Sequence, residues 1–220
     1  MKLIYVHIPK TGGTTVASLL RKVYGKNHKV FRESHDMHND HNVMSATGHP
    51  DYKVNHIYRP WKNQKYETSD IIMGHFKKTK YLHTGYPMIT WLRDPVERVI
   101  SNYTQQLTKW PKARAKAPTY YKMVSDHTLM TYAKVWDQMQ YWYCDGSIDD
   151  FLFVGICEMF DESIEQLGKV LGVEFPKEIP RANPTKKKLK VSKKVKEEIS
   201  KYLEKDYILY KKAVERLEKC

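Results

Sequence analysis

The sequence has no run of 18 or more apolar residues, and this absence excludes a transmembrane helix. Its first apolar stretch, at residues 3–8, is too short for the hydrophobic region of a signal peptide. Cysteine is scarce, since the three cysteines are widely spaced and none belongs to a CxxC pair. We therefore expect reduced thiols in a cytoplasmic protein, and neither a disulfide framework nor a zinc site.

Acidic residues are too few to balance the basic ones: 38 Lys and Arg stand against 25 Asp and Glu, a net charge of +13. The surplus is greatest in residues 181–220, where 14 basic residues face 6 acidic ones. It predicts an anionic partner, either a nucleic acid, an anionic membrane or a polyanionic small molecule. The length of 220 residues predicts one folded domain over residues 1–220.

Apolar strands alternate with amphipathic helices along the chain. The strands are predicted at residues 3–8, 70–75, 88–92 and 151–156. The helices are predicted from about residue 14 to Gly25, then at 96–107, at 129–143, at 164–171, and as one long helix after Ser192 with Val195, Ile199, Tyr202 and Leu203 facing inward. This alternation predicts an α/β fold with a mainly parallel sheet flanked by helices, in which ligands bind at the carboxyl ends of the strands.

The first motif that indicates chemistry is PKTGGTT, between the first strand and the first helix. Two glycines let the backbone approach a ligand closely, and the helix N-terminus favours a phosphate group. It resembles a P-loop, although the lysine precedes the glycines instead of following them. The alternative is a Gly-Gly turn beside an exposed lysine. The candidate ligand-binding residues are Lys10, Thr11, Gly12, Gly13, Thr14 and Thr15.

The second motif is WLRDPVERVISNY, where a strand meets a helix. Arg93 follows the strand and can bind a phosphate in a fork, and Ser101 adds a hydroxyl two turns along the helix. Alternatively, Arg93 caps the helix or pairs with Asp94 or Glu97. Neither motif alone selects among the anionic partners.

Together the two motifs resemble the sulfotransferase superfamily, which uses 3′-phosphoadenosine 5′-phosphosulfate (PAPS). HIPKTGGTT resembles its 5′-phosphosulfate loop, and RDPVERVISNY resembles its 3′-phosphate motif, with Arg93 and Ser101 eight residues apart. The branch indicated is the carbohydrate O-sulfotransferases, particularly those similar to heparan sulfate and uronyl 2-O-sulfotransferases. FLFVGICEMFDESIEQLGKVLG and DYILYKKA resemble later parts of that branch, whereas residues 27–69 and 109–143 match nothing in it.

The resemblance implies a P-loop-like nucleotide-binding (sulfotransferase) fold. It also implies transfer of a sulfuryl group from PAPS to an acceptor hydroxyl, most often of a saccharide, with 3′-phosphoadenosine 5′-phosphate (PAP) as product and no metal. IIMGHF resembles the segment with the catalytic histidine, which makes His75 the expected general base, and Lys10 would stabilise the departing bisphosphate. RANPTKKK lies where the family closes a loop on the cofactor; its candidates are Arg181, Asn183 and Lys186.

Other interpretations remain open at this point. Sulfation of a protein tyrosine or of a small alcohol or phenol would use the same motifs. A nucleic-acid-binding protein would use the basic C-terminal helix, although its tyrosines, Tyr202, Tyr207 and Tyr210, have the spacing of a helix core. A kinase would need Mg²⁺ and ATP. His35, His38 and His41 could suggest a metal site, although their polar segment has no helix or strand pattern to position the ligands. His7 is expected to be structural.

The resemblance also bears on location. The sequence lacks the membrane anchor and stem of the Golgi members of the branch, which implies a cytoplasmic protein of bacterial or viral type, or a shortened form. We expect no membrane span and no nucleic-acid partner, and the oligomeric state stays open.

Overall fold

The computed structural model describes residues 2–24, 69–109, 128–135, 138–176 and 189–219, together with the backbone of a strand at 30–32. Five strands in these parts form one sheet, namely β1 (Leu3–Val6), β2 (Val30–Arg32), β3 (Ile71–Gly74), β4 (Met88–Leu92) and β5 (Phe153–Ile156). Their order across the sheet is β2-β3-β1-β4-β5, and each neighbouring pair is parallel. The expected α/β fold with a parallel sheet is confirmed.

Helices connect and cover these strands. They are α1 (Gly13–Tyr24), α2 (Thr79–Leu82), α3 (Pro95–Lys109), α4 (Leu129–Val135), α5 (Met139–Tyr143), α6 (Phe160–Leu171), α7 (Lys193–Ser200) and α8 (Glu204–Glu218), with a short 3₁₀ turn at Cys157–Met159 before α6. Every residue of β1, β3, β4 and β5 is buried, as expected for parallel strands with helices on both faces. No helix in the described ranges is both long enough and apolar enough to cross a bilayer.

The local signals of the sequence account for several helix boundaries. Ser192 is the N-cap of α7, where its hydroxyl accepts a hydrogen bond from the backbone of Val195. Gly172 ends α6 in the left-handed conformation, with φ 65°. The apolar face of α1 is buried as the spacing predicts, through Val16, Leu19 and Leu20.

Two predicted helices are each divided in the structure. The segment predicted as one helix at 129–143 contains α4 and α5, and α5 begins after Gln138, whose φ of 49° is left-handed. The long helix predicted after Ser192 is α7 and α8, which are separated at residues 201–203. Leu203 is fully buried at that break with φ −116°, outside the helical range.

The break between α7 and α8 corrects the prediction for Tyr202. The prediction faced this side chain inward, but it is 37% exposed, and the ammonium of Lys134 lies 5.1 Å from its ring centroid. The prediction placed the Tyr202 side chain on the inner face of one continuous helix. Because the chain turns at 201–203, Leu203 is buried and the Tyr202 side chain points outward. The prediction of a single domain over residues 1–220 stays a prediction.

Candidate active site at the carboxyl edge of the sheet

The loop between β1 and α1 is tightly curled. β1 ends at Val6, two residues earlier than predicted, so His7 and Ile8 belong to this loop. Lys10 and Gly12 have positive φ angles of 72° and 85°. The left-handed conformation costs a non-glycine residue about 1 kcal/mol, so the surrounding structure must impose it on Lys10. The hydroxyl of the fully buried Thr11 donates to the carbonyl of Ile8 at 2.9 Å, which fixes the loop from inside.

Gly13 is packed directly against a histidine ring. A Cβ at this position would lie 2.0 Å from ring atoms of His7 and 2.7 Å from the hydroxyl oxygen of Tyr5. No side chain fits there, so the glycine lets the start of α1 approach the end of β1. The loop thereby presents its backbone and the N-terminal N–H groups of α1 at the carboxyl edge of the sheet.

Arg93 lies against this loop. It directly follows β4, and its side chain is 20% exposed. Its Nη1 donates to the carbonyl oxygen of Lys10 at 3.2 Å, and its Nε lies 3.8 Å from Oε1 of Glu158. Its Nε makes no hydrogen bond in the described residues. The structure therefore brings the two motifs of the sequence together at one edge.

His75 and His7 lie side by side just past the ends of two neighbouring strands. Val6 of β1 is in register with Gly74 of β3, and the backbone N–H of His7 donates to the carbonyl of Gly74 at 2.8 Å. The ring centroids of the two histidines are 4.3 Å apart. Nδ1 of His75 lies 2.5 Å from the carbonyl oxygen of His7. Because a carbonyl only accepts, Nδ1 bears the proton, and in the neutral ring Nε2 is the basic nitrogen.

Acidic and phenolic side chains surround Arg93. The carboxylate of Glu158 accepts from the backbone N–H of Asp94, with both oxygens at 3.2 Å, and from the hydroxyl of Tyr210 at 3.1 Å. The hydroxyl of Tyr207 donates to Asp94 at 3.1 Å. Burial raises the pKa of Glu158, while these hydrogen bonds and the charge of Arg93 oppose the increase. Burial and the neighbouring carboxylates raise the pKa values of Tyr207 and Tyr210.

The other predicted site residues are placed less directly. Thr14 is exposed in the first turn of α1, Thr15 is buried there, and Ser101 is half-buried on α3. Arg181, Asn183 and Lys186 lie outside the described residues. His35, His38 and His41, considered as metal ligands, also lie outside them. In the described part of the chain, no three or more His, Cys, Asp or Glu side chains form a metal-binding group.

Sequence reasoning missed three residues at this edge. His7 packs as a structural residue, as expected, but the sequence did not indicate that its ring contacts His75 and that its carbonyl orients that ring. Glu158 follows the end of β5 by two residues, and the rule that functional groups collect at carboxyl ends of parallel strands could have identified it. Gln140 is bound to the backbone of Arg93, and no signal in the sequence points to that contact.

The fold and the site define a class of protein: an α/β protein with a parallel sheet that presents a glycine-containing loop, a lysine and an arginine at its carboxyl edge. Such an edge binds an anionic ligand.

The chain belongs to the Sulfotransferase family, whose family model matches residues 1–219. The protein is therefore a sulfotransferase, and the family implies PAPS as the sulfuryl donor and PAP as the product. No curated protein matches the chain.

Two solved structures are similar to this chain. One is a sulfotransferase from Alicyclobacillus acidocaldarius, with 13% sequence identity, coverage of 93% of this chain and 92% of that chain, and a TM-score of 0.46. The other is mouse sulfotransferase SULT7A1 complexed with PAP, with 13% identity, coverage of 79% of this chain and 58% of that chain, and a TM-score of 0.43.

Proposed function

We propose that this sulfotransferase transfers the sulfuryl group of PAPS to a hydroxyl of a saccharide, as the carbohydrate O-sulfotransferases similar to heparan sulfate and uronyl 2-O-sulfotransferases do. The observation that supports the proposal best is the contact between the two motifs, in which Arg93 donates to the carbonyl of Lys10. The residue that binds the 3′-phosphate and the loop that binds the 5′-phosphosulfate must lie side by side to bind both ends of one nucleotide.

The residues at this edge fit a bisphosphorylated nucleotide. Lys10 and Arg93 provide two cationic side chains, and the glycine-containing loop provides backbone N–H groups next to them. The guanidinium of Arg93 is held at this edge by the carbonyl of Lys10, 3.2 Å from Nη1, and by the carboxylate of Glu158, 3.8 Å from Nε. When bound, PAPS would supply the sulfuryl group.

We assign a role to each residue of the loop and of the second motif. The ammonium of Lys10 stabilises the negative charge that develops on the oxygen of the leaving phosphate. Arg93 and Ser101 bind the 3′-phosphate. The backbone of residues 11–13 and the hydroxyls of Thr14 and Thr15 bind the 5′ side, since the hydroxyl of Thr11 already donates to Ile8. Arg181, Asn183 and Lys186 complete the cofactor site on the strength of the resemblance.

His75 is the proposed general base. Its Nδ1 donates to the carbonyl of His7, which makes Nε2 the basic nitrogen that would accept the proton of the acceptor hydroxyl. The acceptor oxygen then forms the new bond to sulfur, and the bond from sulfur to the phosphate oxygen breaks with its electron pair.

The direct test is incubation with labelled PAPS and a panel of glycans, phenols and tyrosine peptides, followed by mass spectrometry. We expect a mass gain of one sulfuryl group on a glycan. Product only on a phenol or a tyrosine peptide would replace the saccharide with that acceptor class. Binding of the cofactor is tested separately in EDTA, where PAP at a hundred times its Kd should stabilise the protein by about 2.7 kcal/mol. Equal stabilisation by PAP and AMP at the same concentration would contradict the 3′-phosphate site.

A further inference from the structure

The side-chain amide of Gln140 is paired with the backbone of Arg93. Gln140 is fully buried on α5, far from Arg93 in the sequence. Its Oε1 accepts from the N–H of Arg93 at 2.8 Å, and its Nε2 donates to the carbonyl of Arg93 at 2.9 Å. One amide therefore satisfies both polar backbone groups of the residue expected to read the 3′-phosphate.

This pairing lies just beyond the end of β4, where the neighbouring strands no longer provide hydrogen-bond partners for the backbone. The registers of β4 end at Thr90 toward β1 and at Leu92 toward β5, so Arg93 lies one residue beyond the ladder. A backbone N–H and carbonyl buried past the end of a ladder need other partners. Gln140 provides both, and it fixes the direction in which the Cα–Cβ bond of Arg93 leaves the sheet.

Asp206 in turn fixes Gln140. Asp206 is fully buried in the first turn of α8, and its Oδ1 accepts from the N–H of Tyr141 at 2.7 Å. Tyr141 directly follows Gln140 on α5, so this bond holds the backbone next to Gln140 in place. The position of Gln140 is thereby set from the side of α8, while its side-chain amide bonds the backbone of Arg93.

A buried charge strengthens this arrangement. Arg98 on α3 is fully buried, and it interacts electrostatically with Asp206. Burial raises the pKa of Asp206, and the positive charge of Arg98 opposes that increase. The N–H of Asp206 donates to Oε1 of Gln138 at 3.0 Å, which ties the start of α8 to the residue before α5.

We propose that Gln140, on the helix α5 that Asp206 holds at Tyr141, is a positioning residue for Arg93 that makes the protein selective for a nucleotide with a 3′-phosphate. The inference rests on the proposed role of Arg93. A shift in the backbone of Arg93 would move its guanidinium relative to the loop of Lys10. The hydrogen bond from Nη1 to the carbonyl of Lys10 would then lengthen or break. The 3′-phosphate would then lose a well-aligned donor pair, while the rest of the nucleotide would still bind to the loop.

The test measures the Kd values of PAP and AMP by calorimetry and uses their ratio as the readout. Gln140→Met keeps the length of the side chain and removes both hydrogen bonds to Arg93. We expect the preference for PAP over AMP to fall about five- to tenfold, as the loss of one to two net hydrogen bonds predicts, and AMP affinity to change less than about twofold.

The matched control is Gln166→Met. Gln166 is a half-buried glutamine on α6. Its Nε2 donates to the backbone carbonyl of Leu217, in the last turn of α8, at 3.0 Å. This variant should keep the wild-type ratio. A double variant with Arg93→Ala provides the second control: Gln140→Met should lower the ratio no further once the guanidinium is gone.

Asp206→Asn tests the same chain of contacts if Gln140→Met does not fold. It keeps one acceptor oxygen for the N–H of Tyr141 but removes the negative charge that interacts with the buried Arg98, so α5 should be held less firmly and the ratio should fall as well. The inference is overturned if either folded variant weakens the binding of PAP and AMP alike or leaves the ratio of their Kd values unchanged. It is also overturned if the effects of Gln140→Met and Arg93→Ala on this ratio add in the double variant, or if Gln140→Met and Asp206→Asn both fail to fold. Wild-type protein that binds PAP no better than AMP would instead contradict the proposed function.

Discussion

Arg93 and Lys10, which are 83 positions apart in the chain, are joined by a hydrogen bond from Nη1 of the arginine to the carbonyl oxygen of the lysine, 3.2 Å away. The bond holds two cationic residues at one edge of the sheet, where their charges repel each other. An anion between them removes that repulsion and gains two charge-assisted contacts. The contact therefore links the curled backbone of the loop to the proposed binding of a doubly phosphorylated ligand.

Replacing Arg93 should affect the two nucleotides differently. Arg93→Ala removes a charge-assisted contact of about 1.5–3 kcal/mol, so PAP affinity should fall by one to two orders of magnitude. AMP, which has no 3′-phosphate, should bind nearly as before. Calorimetric titration of both nucleotides measures this, with Lys169→Ala as the control, since that lysine forms only an exposed pair with Glu165 on α6. A similar loss for PAP and AMP would show that Arg93 supports the fold and does not read the 3′-phosphate.

Replacing His75 should lower turnover without lowering cofactor affinity. A positioned general base contributes about 10²–10⁴-fold, so His75→Ala should reduce the turnover number by that factor while the Kd for PAP stays near the wild-type value. The exposed His83, in the turn after α2, provides the control His83→Ala. The wild-type rate should also fall as pH decreases below the imidazole range, because a protonated ring cannot accept the proton. Near-normal turnover of His75→Ala, or joint loss of stability and PAP binding, would each contradict the role of base.

Adding one methyl group at Gly13 should disturb the loop. In Gly13→Ala the new Cβ would overlap the ring of His7, so we expect a loss of about 1–3 kcal/mol of stability together with weaker PAP binding. Gly85→Ala is the control, because Gly85 has a φ of 65° but no atom within 4 Å of the added Cβ. Its cost is limited to the left-handed backbone, about 1–2 kcal/mol, with PAP affinity unchanged. Thermal unfolding and PAP titration compare the two variants, and unaltered PAP binding in Gly13→Ala would argue against the close packing of the loop.

The pH dependence of stability should reveal Glu158. Burial raises its pKa in the folded protein, so its favourable contribution is complete at pH values below the pKa of the unfolded chain and is lost as pH rises through the folded pKa. Glu158→Gln cannot ionise and avoids this loss. Urea unfolding should therefore show the variant gaining stability relative to the wild type between pH 4 and pH 7.

Glu165→Gln is the control of opposite sign. A hydrogen bond from Lys169 lowers the pKa of Glu165, so that carboxylate contributes stability above its unfolded pKa and loses it as pH falls. This variant should lose stability relative to the wild type over the same rise in pH. If Glu158→Gln follows the direction of Glu165→Gln, the carboxylate of Glu158 is stabilised in the folded protein and the assignment of its cause is wrong.

The sequence predicted the features that depend on local pattern and on parallel topology. The strand at 88–92 has the predicted bounds, and Arg93 follows it as expected; the strand predicted at 70–75 spans 71–74, so His75 lies one residue beyond its end. Carboxyl ends of parallel strands share one edge, so residues far apart in the chain could be placed together before any contact was known.

The rest could not be predicted, because it depends on contacts across the chain. Gln140 has the sequence signature of an ordinary helical position, and its pairing with Arg93 spans 47 positions. Tyr207 and Tyr210 pack against the core as their spacing predicts, but the spacing does not indicate that their hydroxyls bind the carboxylates of Asp94 and Glu158. The apolar spacing of residues 195–203 continues through the break between α7 and α8, so periodicity gave no warning that Tyr202 would face outward.

The bond from Tyr207 to Asp94 has a consequence for biosynthesis, since it joins positions 113 residues apart. At 5–20 residues per second, a ribosome needs roughly 6–23 s to add that length of chain. During this interval a nascent polypeptide that already includes Arg93 and Asp94 lacks α8, which packs against β5 and α5 in the finished molecule. The bonds of Tyr207 and Tyr210 to Asp94 and Glu158 therefore form late in translation, after α8 has emerged and docked.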